Sequence, residues 1–593
     1  MPAPIYPRHS SPLTRDEQRE TKHQQITMVV KKIAPYGSWE SPFSVDDATA
    51  GSKSLSSPRG DIRTGRVFFL ESKADGSGTI VEVATTEPGA HELVYVLPDA
   101  HGVSTRVYEY GGGAYEVLPS SEGGATSQEV IFSDASDENA VKVLAVDTGA
   151  VRTVVGGKPW LRYAEFAACG ASRWVLAVEE DHSKPEPKDV RNYVVAVDAG
   201  SGEVRRLVEG ADFYSSPSHT FGFLSPKSMV LSYTKYATNS TVHVDLETLK
   251  VTPLTDMPLT AFRGDTLHAI TPTSFLIIGS GTIYPSGVYH FSLNQNLEVE
   301  MTQVHAADAK EIPANAVSIP QHIWLKSTED EPKRPIHGFY WPPHNPRFAA
   351  PEGELPPLLI NPHGGPTGHT PPGLKVGGVG GGNAQFWTSR GFAYFAINYT
   401  GSSGHGKSYR ERLDAEWGVL DRDDVVEIIR HLCRTGRADE KRVGIHGGSA
   451  GGYNVLQSLV WHAGVFAAGV CYCGVSDVKA LGEGTHKLES HYLEGLLYKP
   501  GMSKEEREAV EYERSPVHHA ESICAPLLLL HGDKDTVVPI AQSYEIERKI
   551  RGRGGDVKMV VAPGDGHMFV MEKSKRLALE AEVEWWMRTL VRR

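Results

Sequence analysis

Short apolar runs separated by polar turns fill the stretch between about residues 65 and 304. The runs are rich in β-branched residues, which predict β-strands, and include 66–70, 79–83, 129–132, 141–146, 174–178, 193–197, 229–233 and 274–278. Turns at 147–150 and 198–202 follow a Val-Asp-x-Gly pattern. A recurring unit of strand, turn and strand favours the blades of a β-propeller, with a β-sandwich as the alternative. The repeat is too degenerate to give the number of blades.

The pattern changes after about residue 326, where apolar strand-like runs alternate with stretches of helical spacing. The predicted strands are 358–361, 392–397, 443–446, 526–530 and 557–562, and helices are predicted at 421–432 and 580–591. This alternation predicts an α/β domain. In open α/β sheets the functional residues lie at the carboxyl ends of the strands. We therefore expect a site in the polar loops that follow these runs.

The overall composition narrows the classes of function. With 593 residues the chain should form two large domains rather than one core. A formal charge of −13 without a basic run argues against nucleic acid as a partner. Residues 1–32 lack the apolar segment of a signal peptide, and no apolar run is long enough to span a bilayer. We therefore expect a cytoplasmic protein without a membrane partner.

The five cysteines do not have the spacing of a metal site. Their odd number favours a reducing compartment, which agrees with a cytoplasmic location. Cys471 and Cys473 occupy alternate positions of one strand-like run, so we expect them to be core thiols on the same face.

The sequence Gly447-Gly-Ser449-Ala-Gly451 follows the predicted strand 443–446 and precedes a helix-forming segment. A nucleophile elbow requires this order, because its serine projects from a tight strand-to-helix turn between residues without a Cβ. An ordinary Gly-rich turn, which is the alternative, does not require a strand before it and a helix after it. Ser449 is therefore the candidate nucleophile, and the backbone N–H of Ala450 is a candidate donor to the oxyanion.

Candidates for the acid and the base follow the next two strands. Asp535 lies in the loop after 526–530, and His567 lies in the loop after 557–562. The order Ser449, Asp535, His567 is that of α/β-hydrolase triads. Asp533 competes for the acid position. We favour Asp535, because it lies further beyond the strand and can reach across to the histidine, whereas Asp533 is suited to capping the turn.

A second oxyanion donor is predicted in the loop after strand 358–361. This loop begins His363-Gly364-Gly365, and a Gly-rich loop at that place can turn a backbone N–H towards the nucleophile. Gly364 and Gly365 are both candidates, because a Cβ there would obstruct the substrate. A plain Gly-Pro turn is the alternative.

Several further motifs extend the pattern over the C-terminal half. They are 363–367, 388–392, 398–404, 409–413, 417–421, 447–453, 485–489 and 514–516. Together they resemble the catalytic domain of the prolyl oligopeptidase family (S9) of serine peptidases, closest to the branch of acylaminoacyl peptidases and dipeptidyl aminopeptidases. Weaker similarity to the same branch occurs at 36–42, 109–113, 180–182 and 212–217.

The resemblance implies an α/β-hydrolase catalytic domain together with an all-β propeller domain. It divides the chain into an N-terminal segment at 1–59 that packs on the hydrolase domain, a β-propeller at 60–325 and the catalytic domain at 326–593. In several relatives an arginine follows the catalytic aspartate and holds a substrate carbonyl, but Thr536 stands there in this chain. The motif 180–182 is a candidate for binding a free N-terminus, although a structural turn explains it better.

The resemblance and the triad predict a serine hydrolase that cleaves amide bonds of short peptides or acyl-amino acids through an acyl-enzyme. It needs no cofactor and no metal. The alternative is a hydrolase or acyl-transferring cyclase acting on a non-peptide ester, amide or specialised metabolite. A non-catalytic propeller scaffold is the third hypothesis and leaves the triad unexplained. The expected partner is a short peptide or small acyl substrate, and homo-oligomerisation is left open.

Overall fold

The computed structural model describes residues 31–592 except for several short gaps. These are 50–52, 62, 88–89, 121–127, 169–171, 185, 211–220, 263–265, 308–311, 329–332, 382, 485–488 and 490. The motif at 212–217, Cys169 and most of the motif at 485–489 lie outside the described residues. Within the described part, no helix is both long and apolar enough to cross a bilayer.

Strand β1 (Lys32–Ile33) and helix α1 (Val45–Thr49) precede a series of small antiparallel sheets. Within the described residues these are five sheets, each built from four consecutive strands. The first contains β2 (Leu55–Asp61), β3 (Arg66–Ser72), β4 (Gly78–Glu87) and β5 (Ala90–Tyr95), and the second contains β6 (Tyr115–Leu118), β7 (Glu129–Asp134), β8 (Ala140–Ala145) and β9 (Ala150–Val155). The third contains β10 (Leu161–Ala168), β11 (Trp174–Asp181), β12 (Arg191–Asp198) and β13 (Val204–Val208). The fourth contains β14 (Phe221–Ser225), β15 (Ser228–Lys235), β16 (Thr238–Asp245) and β17 (Val251–Pro253), and the fifth contains β18 (Leu267–Thr271), β19 (Ser274–Gly279), β20 (Gly287–Leu293) and β21 (Val299–Ala306).

The small sheets pack face to face through apolar layers, in the order fourth, fifth, first, second, third. Side chains alternate between the two faces of a strand. Thus Phe68 of β3 packs towards the second sheet, and Phe69 packs towards the fifth. Both rings are fully buried. A sheet that buries both faces against two neighbours is not part of a two-sheet sandwich, so that alternative is wrong.

The C-terminal domain is built on one eight-stranded sheet in the described residues. Its order is β22 (Gln321–Lys326), β23 (Pro335–Trp341), β26 (Ala393–Asn398), β25 (Leu358–Pro362), β27 (Val443–Gly448), β28 (Ala468–Tyr472), β29 (Leu527–Gly532) and β30 (Val557–Ala562). Strands β25 to β30 of this sheet are parallel, so their carboxyl ends meet at one edge. The predicted α/β-hydrolase sheet is therefore present.

Helices cover both faces of this sheet. They are α2 (Ala384–Thr388), α3 (Lys407–Arg410), α4 (Leu420–Arg434), α5 (Ala450–Trp461), α6 (Val478–Gly484), α7 (Tyr492–Leu497), α8 (Lys504–Glu513), α9 (Ala541–Gly552) and α10 (Glu572–Trp586). Helix α4 contains the predicted helix 421–432. Helix α10 begins eight residues before the predicted start at 580 and continues into a short π-helical turn at Met587–Val591.

The N-terminal segment packs on the C-terminal domain. Strand β1 pairs in parallel with β24 (Phe348–Ala349), and the Phe43 side chain lies in the same apolar core as Trp387 of α2. Strand β2 spans the domain boundary predicted after residue 59, and β22 spans the boundary predicted after residue 325. The sheets therefore divide the chain a few residues earlier at both places.

Candidate active site

The candidate nucleophile lies at a tight turn between strand β27 and helix α5. Ser449 has φ 57° and ψ −123°, a left-handed backbone that serine rarely adopts. A Cβ on Gly447 would lie only 2.7 Å from the Gly451 carbonyl, so the strand and the helix can approach this closely only through glycine. The turn has the geometry expected of a nucleophile elbow.

The candidate base and the candidate acid are hydrogen-bonded to each other. His567 Nδ1 lies 2.7 Å from Asp535 Oδ2, and the two residues follow β30 and β29. Asp535 Oδ1 accepts hydrogen bonds from the backbone N–H groups of Val537 and Val538, both at 2.9 Å. A neutral imidazole that donates its Nδ1–H to Asp535 has a free lone pair on Nε2. His567 can therefore accept a proton at Nε2.

Asp535 is held in its ionised form although it is buried. Burial opposes ionisation, but hydrogen bonds from His531, His567 and Val538 outweigh it and hold the pKa of Asp535 well below its usual range. His531 Nε2 lies 3.1 Å from Asp535 Oδ2, a contact that was not predicted from the sequence. A carboxylate in this position stabilises the imidazolium that forms when His567 takes up a proton.

The competing carboxylate has a different partner. Asp533 Oδ1 accepts a hydrogen bond from the backbone N–H of Gly564 at 2.6 Å and so connects the two loops that carry Asp535 and His567. Of the two aspartates, the structure places Asp535 against the histidine.

Two buried thiols near this site have different surroundings. Cys471 is part of β28, whereas Cys473 lies beyond the strand end with φ 45°, and the two pack into cores on opposite sides of the sheet. The expectation that they share a face is wrong, because the strand alternation ends at Tyr472. Cys473, Asp535 and His567 bring potential metal-ligand atoms within 4.8 Å of one another, but the acid and the base are already hydrogen-bonded to each other.

The loop after β25 lies directly against the nucleophile. A Cβ on Gly364 would be 3.5 Å from the Ser449 Cβ, so a larger residue would narrow the space above the serine. His363 holds this loop, because its Nδ1 lies 2.8 Å from the Gly364 carbonyl oxygen and its Nε2 lies 2.7 Å from Ser402 Oγ. Burial lowers the pKa of His363 to about 4, so the ring is neutral.

A small cavity connects the nucleophile to the oxyanion loop. Ser449, Ala450 and Gly365 all line it. The rest of the wall is mostly apolar and consists of Pro366, Trp417, Val475, Leu481, Tyr492, Leu493 and Val538, with Glu489 as the charged residue. Tyr492 also holds the oxyanion loop, since its hydroxyl donates to Thr367 Oγ1 at 2.6 Å and accepts from the Thr367 N–H at 3.1 Å.

A residue from the β-rich domain contacts the charged residue of this cavity wall. Tyr110 lies in the loop between β5 and β6, and its hydroxyl donates a hydrogen bond to Glu489 Oε1. Both residues occur in motifs that carry the family resemblance, at 109–113 and 485–489, yet no periodicity or spacing in the sequence connects them. Their contact joins the two domains at the edge of the candidate site.

Part of the chain is similar to a known family of peptidases. Residues 379–592 match the model of the prolyl oligopeptidase family. The chain is 29% identical over 221 residues to dipeptidyl aminopeptidase BIII of Pseudoxanthomonas mexicana, covering 37% of this chain and 31% of that relative. It is 27% identical over 230 residues to the acylamino-acid-releasing enzyme of Arabidopsis thaliana, covering 36% of this chain and 28% of the relative. The matched stretch thus spans about a third of the length of these curated relatives.

Solved structures extend the similarity to both domains. A puromycin-hydrolysing peptidase of Mycobacterium tuberculosis superposes with a TM-score of 0.81 at 26% identity, over 95% of this chain and 98% of that one. An acylaminoacyl peptidase of Pyrococcus horikoshii superposes with a TM-score of 0.60 at 17% identity, over 93% of this chain and 98% of that one. The second likeness concerns the fold alone.

Proposed function

We propose that this chain is a serine peptidase of the prolyl oligopeptidase family and that it cleaves amide bonds of short peptides or acyl-amino acids through an acyl-enzyme. The observation that carries the proposal is the elbow at Ser449. It opens into a cavity that Ala450 and Gly365 also line, and the hydrogen-bonded pair of Asp535 and His567 follows strands that end at the same edge of the sheet.

The mechanism follows from the chemistry of these groups. His567 Nε2 takes the Ser449 proton as Oγ attacks the substrate carbonyl, and Asp535 orients the ring and stabilises its cationic form. The N–H of Ala450 and an N–H of the Gly364–Gly365 loop donate to the developing oxyanion. The amine leaves with a proton from His567, and water then hydrolyses the acyl-enzyme by the reverse sequence of proton transfers.

We further infer that the five small sheets form a β-propeller that covers the catalytic edge of the hydrolase sheet. Their face-to-face packing order supports this. So do several contacts between the domains: besides the Tyr110–Glu489 bond, the Tyr236 N–H donates to the Gly404 carbonyl at 2.7 Å, and the Leu374 N–H donates to the Gly281 carbonyl at 2.7 Å. Such a cover excludes water from the site and limits the size of the substrate.

The cytoplasm is the location we propose for this activity. Among the described residues, Cys433, Cys471, Cys473 and Cys524 are free thiols. Reducing compartments keep thiols in this form, whereas secreted proteins more often pair them.

Labelling and turnover together test the proposed function. We expect a fluorophosphonate to label the wild type and not Ser449→Ala, and we expect Ser449→Ala to lower kcat on aminoacyl or acyl-aminoacyl nitroanilides by roughly 10⁴-fold or more. Simple esters serve as the comparison, because a specialised esterase would hydrolyse them and leave the nitroanilides intact. Labelling that persists in Ser449→Ala would contradict the assignment of the nucleophile.

A further inference from the structure

One carboxylate faces the substrate cavity beside the nucleophile. Glu489 lines the same cavity as Ser449, and the surrounding side chains are apolar or aromatic. No lysine, arginine or histidine among the described residues forms an ion pair with it, and its hydrogen-bond donor there is the Tyr110 hydroxyl. An ionised carboxylate in an apolar cavity requires charge or hydrogen-bond partners. Among the residues that the structure describes, the Tyr110 hydroxyl thus leaves further acceptor positions on the Glu489 carboxylate.

The β-rich domain presents Tyr110 to this carboxylate on a constrained loop. Tyr108 and Glu109 have φ of 58° and 65°, and Gly111, Gly112 and Gly113 follow with φ of 72°, 127° and 51°. Left-handed conformations at two residues with side chains persist only where neighbouring contacts impose them. The conformation of this loop is therefore held from outside.

An ionic network under the loop supplies these contacts. Arg162 donates to the Arg106 carbonyl at 2.6 Å and to Glu109 at 2.7 Å, and it lies 3.4 Å from Glu180. Glu180 also accepts from the Tyr108 N–H at 3.3 Å and contacts His182 at 2.8 Å. Glu180 is thus engaged in holding the loop, which argues against its binding a substrate N-terminus. The only glutamate of this region that borders the cavity is, among the described residues, Glu489.

We propose that Glu489, oriented by Tyr110 of the other domain, is the subsite for the free α-ammonium group of an unblocked substrate. The inference rests on the proposed function, since it concerns the same cavity, and it selects unblocked peptides and aminoacyl amides over acyl-amino acids. An ammonium group has three donors and one positive charge, so it can fill the open positions of Glu489 that the single Tyr110 hydroxyl leaves. An N-acyl group would instead turn a carbonyl oxygen towards the carboxylate.

The environment of Tyr110 agrees with this position. Partial burial, the hydrogen bond to Glu489 and the charges of Glu489 and Asp535 all raise the pKa of Tyr110 well above its usual range, although the residue is 47% exposed. Tyr110 is therefore a neutral donor at any working pH, and its hydroxyl lies in the field of the catalytic acid as well as of Glu489. Because its loop belongs to the β-rich domain, the subsite is complete only when the two domains are in contact.

Matched substrates with and without a blocked N-terminus test the proposal. Phenylalanyl and alanyl-phenylalanyl p-nitroanilides would be compared with their N-acetyl forms on the wild type, Glu489→Gln and Tyr110→Phe. We expect Glu489→Gln to lower kcat/KM for the unblocked substrates by about 10- to 100-fold, the usual loss of a charge-assisted hydrogen bond. The N-acetyl substrates should change less than about 3-fold. Tyr110→Phe should also lower kcat/KM for the unblocked substrates relative to the N-acetyl substrates, but by a smaller factor, because the Tyr110 hydroxyl only orients the carboxylate.

Two controls separate this inference from the proposed function. Glu483→Gln removes an exposed carboxylate outside the cavity and should leave both kinds of substrate unchanged. Fluorophosphonate labelling of Ser449 needs no ammonium group, so it should proceed at the wild-type rate in Glu489→Gln. Absent labelling in the wild type would overturn the proposed function itself.

Three outcomes would overturn the subsite alone while labelling is intact. Equal losses on unblocked and N-acetyl substrates would make Glu489 a general support of the site. N-acetyl-arginyl p-nitroanilide, added to the set as a blocked substrate with a basic side chain, tests the second outcome: a loss confined to it would assign the carboxylate to a basic side chain. Unchanged kinetics for all substrates would show that Glu489 does not contact the substrate.

Discussion

At the scale of the residue, the left-handed backbone of Ser449 stores conformational energy at the centre of the site. Such a conformation costs on the order of 1–3 kcal/mol for a residue other than glycine. The Ser449 N–H donates to the Tyr472 carbonyl at 2.9 Å, and helix α5 starts at the next residue. The ends of a strand and a helix therefore impose the conformation, and the side chain is presented without any rearrangement.

The two neighbouring aspartates should differ sharply when each is replaced. We expect Asp535→Asn to lower kcat on the order of 10⁴-fold, because an amide at this place favours the wrong tautomer of His567. Asp533→Asn should cost far less, since its carboxylate contacts only the Gly564 backbone among the described residues. Steady-state kinetics on one chromogenic amide compares the two variants. The reverse order of effects would assign the acid to Asp533.

The sequence predicted Ser449, Asp535 and His567 from a motif and from the order of strand ends, since both are local patterns. Two contacts could not be predicted from the sequence. His531 lies near the end of β29, four residues before the acid, but only the fold brings its Nε2 to Asp535. Tyr110 and Glu489 are separated by 379 positions, and the loop that joins them depends on backbone angles that glycine-rich sequence permits without specifying.

At the scale of the element, helix α4 begins with a carboxylate that the fold buries. Asp421 Oδ1 accepts from the Gly418 N–H at 2.6 Å, and its other oxygen accepts from Asn454 of α5 at 3.2 Å. Burial raises the pKa of Asp421 from 3.8 to about 6.

Helix α4 was predicted from the spacing of its apolar residues, whereas the start of helix α10 was missed. The first turns of α10 bury small residues such as Ser574 and Ala578, which weaken the apolar pattern.

The stability of the protein should show this titration. A carboxyl with a raised folded-state pKa favours folding only while it is protonated, so stability falls as the pH rises from about 4 to about 7. We expect the wild type to lose about 3 kcal/mol relative to Asp421→Asn over this window. Urea unfolding of both proteins at several pH values measures the difference. Asp423→Asn keeps Asp421 and removes a carboxylate whose pKa is held low by its partners, so its stability should fall in parallel with that of the wild type between about pH 5 and 7. A curve for Asp421→Asn that also runs parallel to the wild type would refute the expectation.

At the scale of the whole molecule, the site is formed where two domains meet. The loop before β6 reaches Glu489, the loop between β15 and β16 reaches Gly404, and a Cβ on Gly76 would lie 2.6 Å from Val570, close to His567. The sequence predicted strands and turns for the β-rich half. It did not predict five sheets of four strands, because the order of packing depends on alternating residues such as Phe68 and Phe69 that face different neighbours.

This arrangement should select substrates by size. If the β-rich domain covers the cavity, short nitroanilide peptides will be cleaved and intact casein will resist, because a long chain cannot pass the contacts between the domains. Incubation of casein with a clean preparation, followed by gel electrophoresis, measures this, with Ser449→Ala as the control. Rapid degradation that disappears in Ser449→Ala would show that the cover does not restrict access.

The pairing of β1 with β24 has a consequence during synthesis. Roughly 300 residues separate these strands. At about 5–20 residues per second, the ribosome needs on the order of tens of seconds to supply the partner of β1. The small sheets, each made of consecutive strands, can form during this interval. Lys32 and Ile33 cannot pair before β24 has been synthesised. The segments of the hydrolase domain lie on both sides of the β-rich domain in the chain, so we expect the hydrolase domain to complete its fold last.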